Sequence, residues 1–206
     1  KLSLKFKYRF QFLADFITIK KYFNKNTRKK LFWEILKNPS KAEDWLNIKR
    51  FLYDFQELIL IDIGANFGWY TCLFASLGGE NNNIFSVEPS PDNLFFLKEN
   101  INKNKLKNIS LIESAVGEKN NSLPLYFASS KNPGAHSLIK DTPQQNSKTN
   151  YLKVKVNTLD SLFGDIDIIN LMKIDIEGFE INALKGGLET LKKVQNLLIE
   201  FSPHLW

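Results

Sequence analysis

A short apolar run that ends in a glycine-containing turn most strongly constrains the fold of this chain. The run covers residues 58–63, and the turn within "IDIGANFGWYT" places Gly64 and Gly68 directly after it. A helix-like segment at residues 69–77 and a second apolar run at residues 84–87 follow. A strand, a helix and a second strand in this order predict a βαβ unit, whose two strands are parallel.

The same alternation continues along the chain. Ser90-Pro91-Asp92 supplies an N-cap, a proline at the first helical position and an acid in the first turn, so a second helix is expected there. Further elements of the same kind are strands at residues 109–112, 168–174 and 197–201 and a helix from residue 179. We therefore predict an α/β fold with a mostly parallel, Rossmann-like sheet, helices on both faces and right-handed crossovers.

With 206 residues, the chain is long enough for one domain and an N-terminal extension. We predict a basic, mainly helical extension at residues 1–57 and one ligand-binding domain at residues 58–206. Much of the formal net charge of +6 lies in this extension. The charge indicates a solvated basic face or contact with nucleic acid, an anionic glycan or a membrane surface. The first twelve residues, "KLSLKFKYRFQF", fit both a strand and a helix.

The composition indicates the redox environment of the protein and whether it needs a metal or spans a membrane. The single cysteine, Cys72, cannot form an intrachain disulfide, and no Cys/His cluster has zinc spacing, so we predict a reduced, cytoplasmic protein without a metal site. No apolar run reaches the roughly 20 residues needed to span a bilayer, so no transmembrane segment is expected. Because the chain opens on Lys1, its natural start is expected to lie further upstream.

A long polar segment interrupts the regular pattern at residues 128–150. Its length is typical of a functional loop or a disordered segment. The flanking stretches "SLPLYF" and "YLKVKV" alternate polar and apolar residues, which predicts an antiparallel ribbon.

Polar residues stand at the end of each predicted strand of the sheet. They are Asp62, Glu88, Glu113 with Ser114, Asp175 and Glu200. In an open α/β sheet, ligands bind outside the carboxyl ends of the strands, near the point where strand order reverses. The sequence therefore predicts one site at this edge.

The spacing of the glycines distinguishes between ligands. A dinucleotide fingerprint would need glycine at two positions that hold Asn66 and Trp69, which argues against a nicotinamide cofactor. Asp62 suits a cationic amine. Glu88, about 20 residues after Gly68, suits the two hydroxyls of a ribose. These features fit S-adenosylmethionine better than a dinucleotide.

Six stretches resemble the FkbM-type family of S-adenosylmethionine-dependent methyltransferases. In chain order they are "IDIGANFGWYT", "IFSVEPSPDNLFFLKENI", "LIESAVGE", "GAHSL", "VNTLDSL" and "LMKIDIEGFEINALKGG". The resemblance implies a class I methyltransferase sheet and direct methyl transfer to a hydroxyl of a sugar, glycan or small-molecule metabolite. Folds of this family usually end with an antiparallel pair of strands, whereas this chain stops at "IEFSPHLW", so C-terminal strands are expected to be missing.

The resemblance also assigns residues to the site. It implies that the methionine end of the donor is lined by Asp62, Gly64, Asn66 and Gly68, the ribose is held by Glu88, and the adenine is contacted by Glu113, Ser114 and Ala115. It places Asp175 at the reacting centre.

Three residues are candidate general bases: Asp175, His136 and Glu177. His136 lies in the long polar segment within "GAHSL". Glu177 is equally a candidate cap for the helix that follows. If the strand continues, Lys173, Asp175 and Glu177 lie on one face, although Lys173 is equally an ion-pair partner for a carboxylate.

Two alternatives differ in function. A basic N-terminus is compatible with an RNA methyltransferase, but the chain has neither an Asn/Asp-Pro-Pro-aromatic motif nor an RNA-binding module, so nucleic acid is not the expected partner. A non-catalytic interaction module is the other alternative, against which the polar strand ends argue. The sequence does not indicate the oligomeric state.

Overall fold

The structure is a computed structural model that describes residues 57–78, 80–128, 136–140, 142 and 150–200, with the side chains of residues 76–78 excepted. The predicted N-terminal extension and the last six residues thus lie almost wholly outside the described residues. The domain boundary and the expected missing strands stay predictions. Within the described ranges, no helix has the length and apolar character needed to cross a membrane.

The first half of the domain alternates strands and helices as predicted. Its elements are β1 (Ile59–Ile63), α1 (Trp69–Gly78), β2 (Asn83–Val87), α2 (Pro91–Lys103) and β3 (Ile109–Ile112). Ser90 is the N-cap of α2, and its side chain accepts the backbone N–H of Asn93 at 3.5 Å. The predicted cap and proline start are therefore confirmed.

The second half contains more strands and shorter helices. They are β4 (Ala115–Val116), β5 (Asn121–Tyr126), β6 (Tyr151–Asn157), α3 (Leu159–Phe163), β7 (Leu171–Ile174), α4 (Glu180–Lys185), α5 (Leu188–Leu191) and β8 (Leu197–Ile199).

A parallel sheet in the order β3-β2-β1-β7-β8 forms the core. Strand order reverses between β1 and β7, which makes this the expected ligand-binding edge. Thr71 of α1 bonds to Asp62, whereas Ile61 and Ile63 pack in one cluster with Ala183 of α4. Because alternate residues of β1 meet different helices, helices cover both faces, and the predicted Rossmann-like fold is confirmed.

A second, three-stranded sheet has the order β4-β6-β5. β5 and β6 are antiparallel, with Tyr126 opposite Tyr151, as the alternating sequence predicted. One face of this ribbon is buried, where Leu125 and Val154 pack against Ala115 of β4.

Several details differ from the sequence prediction. β7 begins at Leu171 rather than at residue 168, because Ile169 forms only an isolated bridge to Val194. The prediction missed β4, α3 and α5, which are too short for a clear period. β7 ends at Ile174, as predicted, and Glu177 has a φ of +55°, so the strand does not continue and residues 173, 175 and 177 do not share one strand face.

Candidate functional site

The turn after β1 packs tightly against the end of β7. Gly64 has a φ of +78°, and a Cβ atom built on it would lie 2.0 Å from the backbone oxygen of Asp175. The N–H groups of Gly64 and Ala65 both donate to the carbonyl of Val87 at 3.0 Å. The turn is thus fixed between β2 and β7, at the point where strand order reverses.

Asn66 connects this turn to the end of β2. It has a φ of +52°, a conformation that Asn adopts more readily than other non-glycine residues. Its backbone N–H donates to Glu88 Oε2 at 2.8 Å, and its Oδ1 accepts the N–H of Phe67 at 2.8 Å. The asparagine therefore holds the turn in a conformation that points its backbone at Glu88.

Glu88 joins three elements. Its carboxylate is 4 % exposed, and Oε1 accepts the N–H of Ser90 at 2.9 Å and Nδ2 of Asn93 at 3.2 Å. Burial raises the pKa of Glu88, while the hydrogen bonds from Ser90, Asn66 and Asn93 act in the opposite direction. A carboxylate offers about four acceptor positions, of which the described residues take three. The remaining position fits a ribose hydroxyl.

Asp62 and Asp175 lie on either side of a buried lysine. Asp62 is fully buried, and its Oδ2 accepts the hydroxyl of Thr71 at 2.7 Å. Lys173 Nζ lies 3.5 Å from Asp62 Oδ1 and 3.1 Å from Asp175 Oδ2. The ammonium also lies 4.8 Å from the centroid of the Tyr70 ring. The structure thus directs the carboxylate of Asp62 towards Lys173, and its contact with a donor amine stays a prediction.

Lys173 is charged in this environment. Burial lowers the pKa of Lys173, but the neighbouring carboxylates of Asp175 and Asp62 outweigh this effect and raise that pKa above its usual range. A buried charge is stable only when it is paired, and here two partners meet that need. The sequence named Lys173 only as one possible ion-pair partner, and the structure shows that it has two.

Asp175 reaches the open edge of the site, with a side chain that is 38 % exposed. Glu200 stands beside it, because Ile174 pairs with Ile199 and the N–H of Glu200 donates to the carbonyl of Ile174 at 2.9 Å. Burial raises the pKa of Glu200 to about 8, with further contributions from Asp175, Glu177 and Glu180. Sequence reasoning placed Glu200 at this edge but gave it no catalytic or donor-binding role. Its position directly after the last strand was the available signal.

The predicted adenine contacts lie in different environments. Glu113 is exposed and pairs with Lys98, whereas Ala115 is buried in β4. Ser114 is 2 % exposed, and its Oγ has no hydrogen-bond partner within the described part of the chain. Because a buried hydroxyl without a partner is costly, Ser114 fits a ligand with a polar edge such as adenine.

His136 is a hydrogen-bonded ring beside the ribbon. Its Nδ1 accepts the N–H of Ala128 at 3.0 Å, and its ring meets Phe127 edge to face with centroids 5.1 Å apart. Burial lowers the pKa of His136, against a smaller opposite effect of Asp92. A neutral ring in this arrangement carries its proton on Nε2, so it has no free lone pair to act as a base. The geometry suits a hydrogen-bond donor, acting through the N–H at Nε2.

The rest of "GAHSL" is fixed to the turn after β7. Ser137 Oγ donates to the carbonyl of Glu177 at 2.8 Å and accepts the N–H of Ile139 at 3.0 Å. The buried carboxylate of Glu180 accepts the N–H groups of Ile176 and Gly178 at 3.0 and 3.1 Å. α4 begins after Phe179 without a side-chain cap bond, so the suggestion that Glu177 caps this helix is wrong.

Substitution of Asn66 tests the strained turn. We expect Asn66→Ala to lower the free energy of unfolding by about 1–2 kcal/mol, because alanine disfavours a positive φ. Asn66→Gly is the matched control and should stay within about 1 kcal/mol of the wild type, since glycine adopts this conformation freely. Urea unfolding measures both. Equal losses in the two variants would show that the side-chain bond to Phe67, and not the backbone conformation, stabilises the turn.

Glu200 should make stability depend on pH. Its pKa rises from an ordinary 4.5 to about 8 in the folded chain, so the folded state holds a proton that the unfolded state has lost. Stability should therefore fall as pH increases across this window. We expect the free energy of unfolding of Glu200→Gln to decrease less with pH than that of the wild type. A smaller decrease should remain because the pKa of Glu88 is also raised.

Urea unfolding at about pH 5 and about pH 8 measures this effect. Glu118→Gln, which removes an exposed carboxylate, is the control and should leave the slope unchanged. An unchanged slope in Glu200→Gln would contradict the proton held at Glu200.

Comparison with known proteins identifies relatives of this chain. Residues 62–205 match the model of the Methyltransferase FkbM domain. Hexuronic acid methyltransferase AglP of Haloferax volcanii is 27 % identical over 149 residues, which cover 69 % of this chain and 55 % of that protein. Methyltransferase 1 of Beauveria bassiana is 25 % identical over 159 residues, which cover 68 % of this chain and 63 % of that protein.

This chain therefore spans between half and two thirds of the length of these curated relatives. A crystal structure of an FkbM methyltransferase from Methylobacillus flagellatus KT is similar at 19 % identity and a TM-score of 0.49, over 69 % of this chain and 32 % of that one. Since the family model covers most of the chain, this chain belongs to the family of the methyltransferase FkbM domain.

Proposed function

We propose that this protein uses S-adenosylmethionine to methylate a hydroxyl of a saccharide. The observation that carries the proposal is the hydrogen bond between the backbone of Asn66 and the carboxylate of Glu88. It brings the glycine turn and the acidic end of β2 together at the point where strand order reverses. A ribose bound by Glu88 would have the rest of its ligand beside that turn.

The residues present fit this donor. Glu88 has one acceptor position left for the ribose, Ser114 offers a buried hydroxyl to the adenine, and the turn around Gly64 would meet the methionine end. S-adenosylmethionine supplies a methyl group that is already activated on a positively charged sulfur. The protein has to align an acceptor oxygen and receive its proton.

Asp175 is the residue we assign to the acceptor hydroxyl. Its carboxylate reaches the open edge, where Lys173 Nζ lies 3.1 Å from it. Alignment of an acceptor can contribute about 7–11 kcal/mol, and a positioned base adds about 10²–10⁴-fold. Glu177 accepts the Ser137 hydroxyl through its backbone carbonyl. We assign His136 the role of a hydrogen-bond donor through Nε2, since its Nδ1 already accepts a hydrogen bond.

The acceptor class rests on the relatives. Hexuronic acid methyltransferase AglP is named for a sugar acid, and we extend that class to this chain as the proposed acceptor. The alternative of an RNA methyltransferase depends on the basic segment at residues 1–57, which lies almost wholly outside the described residues. A non-catalytic module would bind the donor without methyl transfer.

Calorimetric titration with S-adenosylhomocysteine, the demethylated donor, tests the donor site. We expect saturable binding and a raised melting temperature, and neither effect with NAD. Glu88→Gln should weaken binding about 10–100-fold, because hydrogen bonds to a charged group contribute about 1.5–3 kcal/mol. Glu118→Gln, at an exposed site, should bind like the wild type. A folded wild type that does not bind the adenosyl compound would overturn the proposal.

A further inference from the structure

The outward face of the β5–β6 ribbon carries aromatic and basic side chains. Along β6, the buried Val154 and Val156 alternate with the exposed Lys153 and Lys155. Tyr151, 63 % exposed, lies on the same side as the two lysines because residues spaced by two share a face. We call Tyr126, Tyr151, Lys153 and Lys155 the tyrosine–lysine face.

The two tyrosines form the end of this face that lies nearest to the reaction centre. Tyr126 is opposite Tyr151 in the register, and their ring centroids are 5.8 Å apart. On its other side, Tyr126 exchanges two backbone hydrogen bonds with Ser137, at 2.8 and 3.1 Å. Paired residues of adjacent strands project to the same side, so Tyr151, Tyr126 and Ser137 form one row.

This row ends at the turn that contains Asp175. Ser137 Oγ donates to the carbonyl of Glu177, two residues after Asp175. Exposure falls from 63 % at Tyr151 to 1 % at Ser137, where the turn covers the row. Neighbouring strands are about 4.7–4.9 Å apart, so Tyr151 lies about 10 Å from Ser137. Through the buried Ser137, the tyrosine–lysine face is therefore linked to the loop that follows Asp175.

The chemistry of the face fits an acidic sugar chain. Aromatic rings offer flat apolar surfaces for the C–H faces of sugar rings, and tyrosine hydroxyls bond to sugar hydroxyls. Lys153 and Lys155 supply two positive charges for carboxylates, and within the described ranges neither lysine takes part in an ion pair. From Tyr151 to Lys155 the strand extends about 13 Å, which is longer than one sugar ring.

We propose that the tyrosine–lysine face binds the sugar units that neighbour the methylated unit in an acidic, uronate-containing oligosaccharide. This inference rests on the proposed saccharide acceptor and names its charge and length. The face contributes affinity and selects anionic chains, whereas Asp175 acts on the hydroxyl itself.

Titration of the full chain with trigalacturonate, followed by calorimetry without donor, tests the face. We expect saturable binding that weakens with added salt, and at least tenfold weaker binding of neutral maltotriose. Lys153→Met with Lys155→Met should weaken trigalacturonate binding at least tenfold. Lys107→Met with Lys185→Met removes the same charge from exposed positions elsewhere and should leave binding within twofold.

Tyr151→Ala should weaken binding about fivefold, and because Tyr151 is mostly exposed the variant is expected to fold. Equal effects of the two lysine pairs, equal binding of maltotriose or no binding of trigalacturonate would overturn the inference. Tighter binding of a single-stranded oligouridylate, lost in the same variants, would assign the face to nucleic acid instead.

S-adenosylhomocysteine binding, measured in the same variants, separates this inference from the proposed function. We expect it to be unchanged in all of them, since the face lies outside the donor site. If the wild type binds trigalacturonate through the lysines but not the adenosyl compound, the face stands and the donor proposal fails. If it binds the adenosyl compound while the lysines have no effect, the face is wrong and the donor proposal stands.

Discussion

A single buried ammonium group, that of Lys173, joins the two strands between which the site opens. The alignment of the strands determines its two carboxylate partners. Asp62 of β1 is directly paired with Lys173 of β7, and Asp175 comes two residues later in the chain. Removing one partner of such a buried group typically costs about 3–5 kcal/mol. The close packing of the Gly64 turn against Asp175 depends on the same alignment of β1 with β7.

A second group of interactions, the hydrogen bonds of Glu88, connects the turn after β1 to the end of β2 and the start of α2. Glu88 follows β2 and is bonded both to the turn after β1 and to the first turn of α2, so two strand ends and one helix meet at this edge. Rigid placement matters for methyl transfer because the protein gains rate mainly by alignment. The ribbon is attached to the loop after β7 through the hydrogen bond from Ser137 to the carbonyl of Glu177.

Much of this could be predicted from the sequence, because the relevant signals are local. The Ser90-Pro91-Asp92 start of α2, the alternation in β5 and β6 and the polar strand ends each depend on a few neighbouring residues. The two carboxylate partners of Lys173 and the hydrogen bond from Asn66 to Glu88 could not be predicted, since each depends on how strands distant in the chain are aligned. The end of β7 at Ile174 was predicted, whereas its start at Leu171 was not, because the apolar residues before it resemble a strand in sequence.

The most direct test of the donor site is a crystal structure of the chain with S-adenosylhomocysteine. We expect a ribose hydroxyl within hydrogen-bond distance of Glu88, the adenine beside Ser114 and the sulfur between the Gly64 turn and Asp175. An adenosyl group bound elsewhere, with Glu88 and Ser114 unchanged, would contradict it.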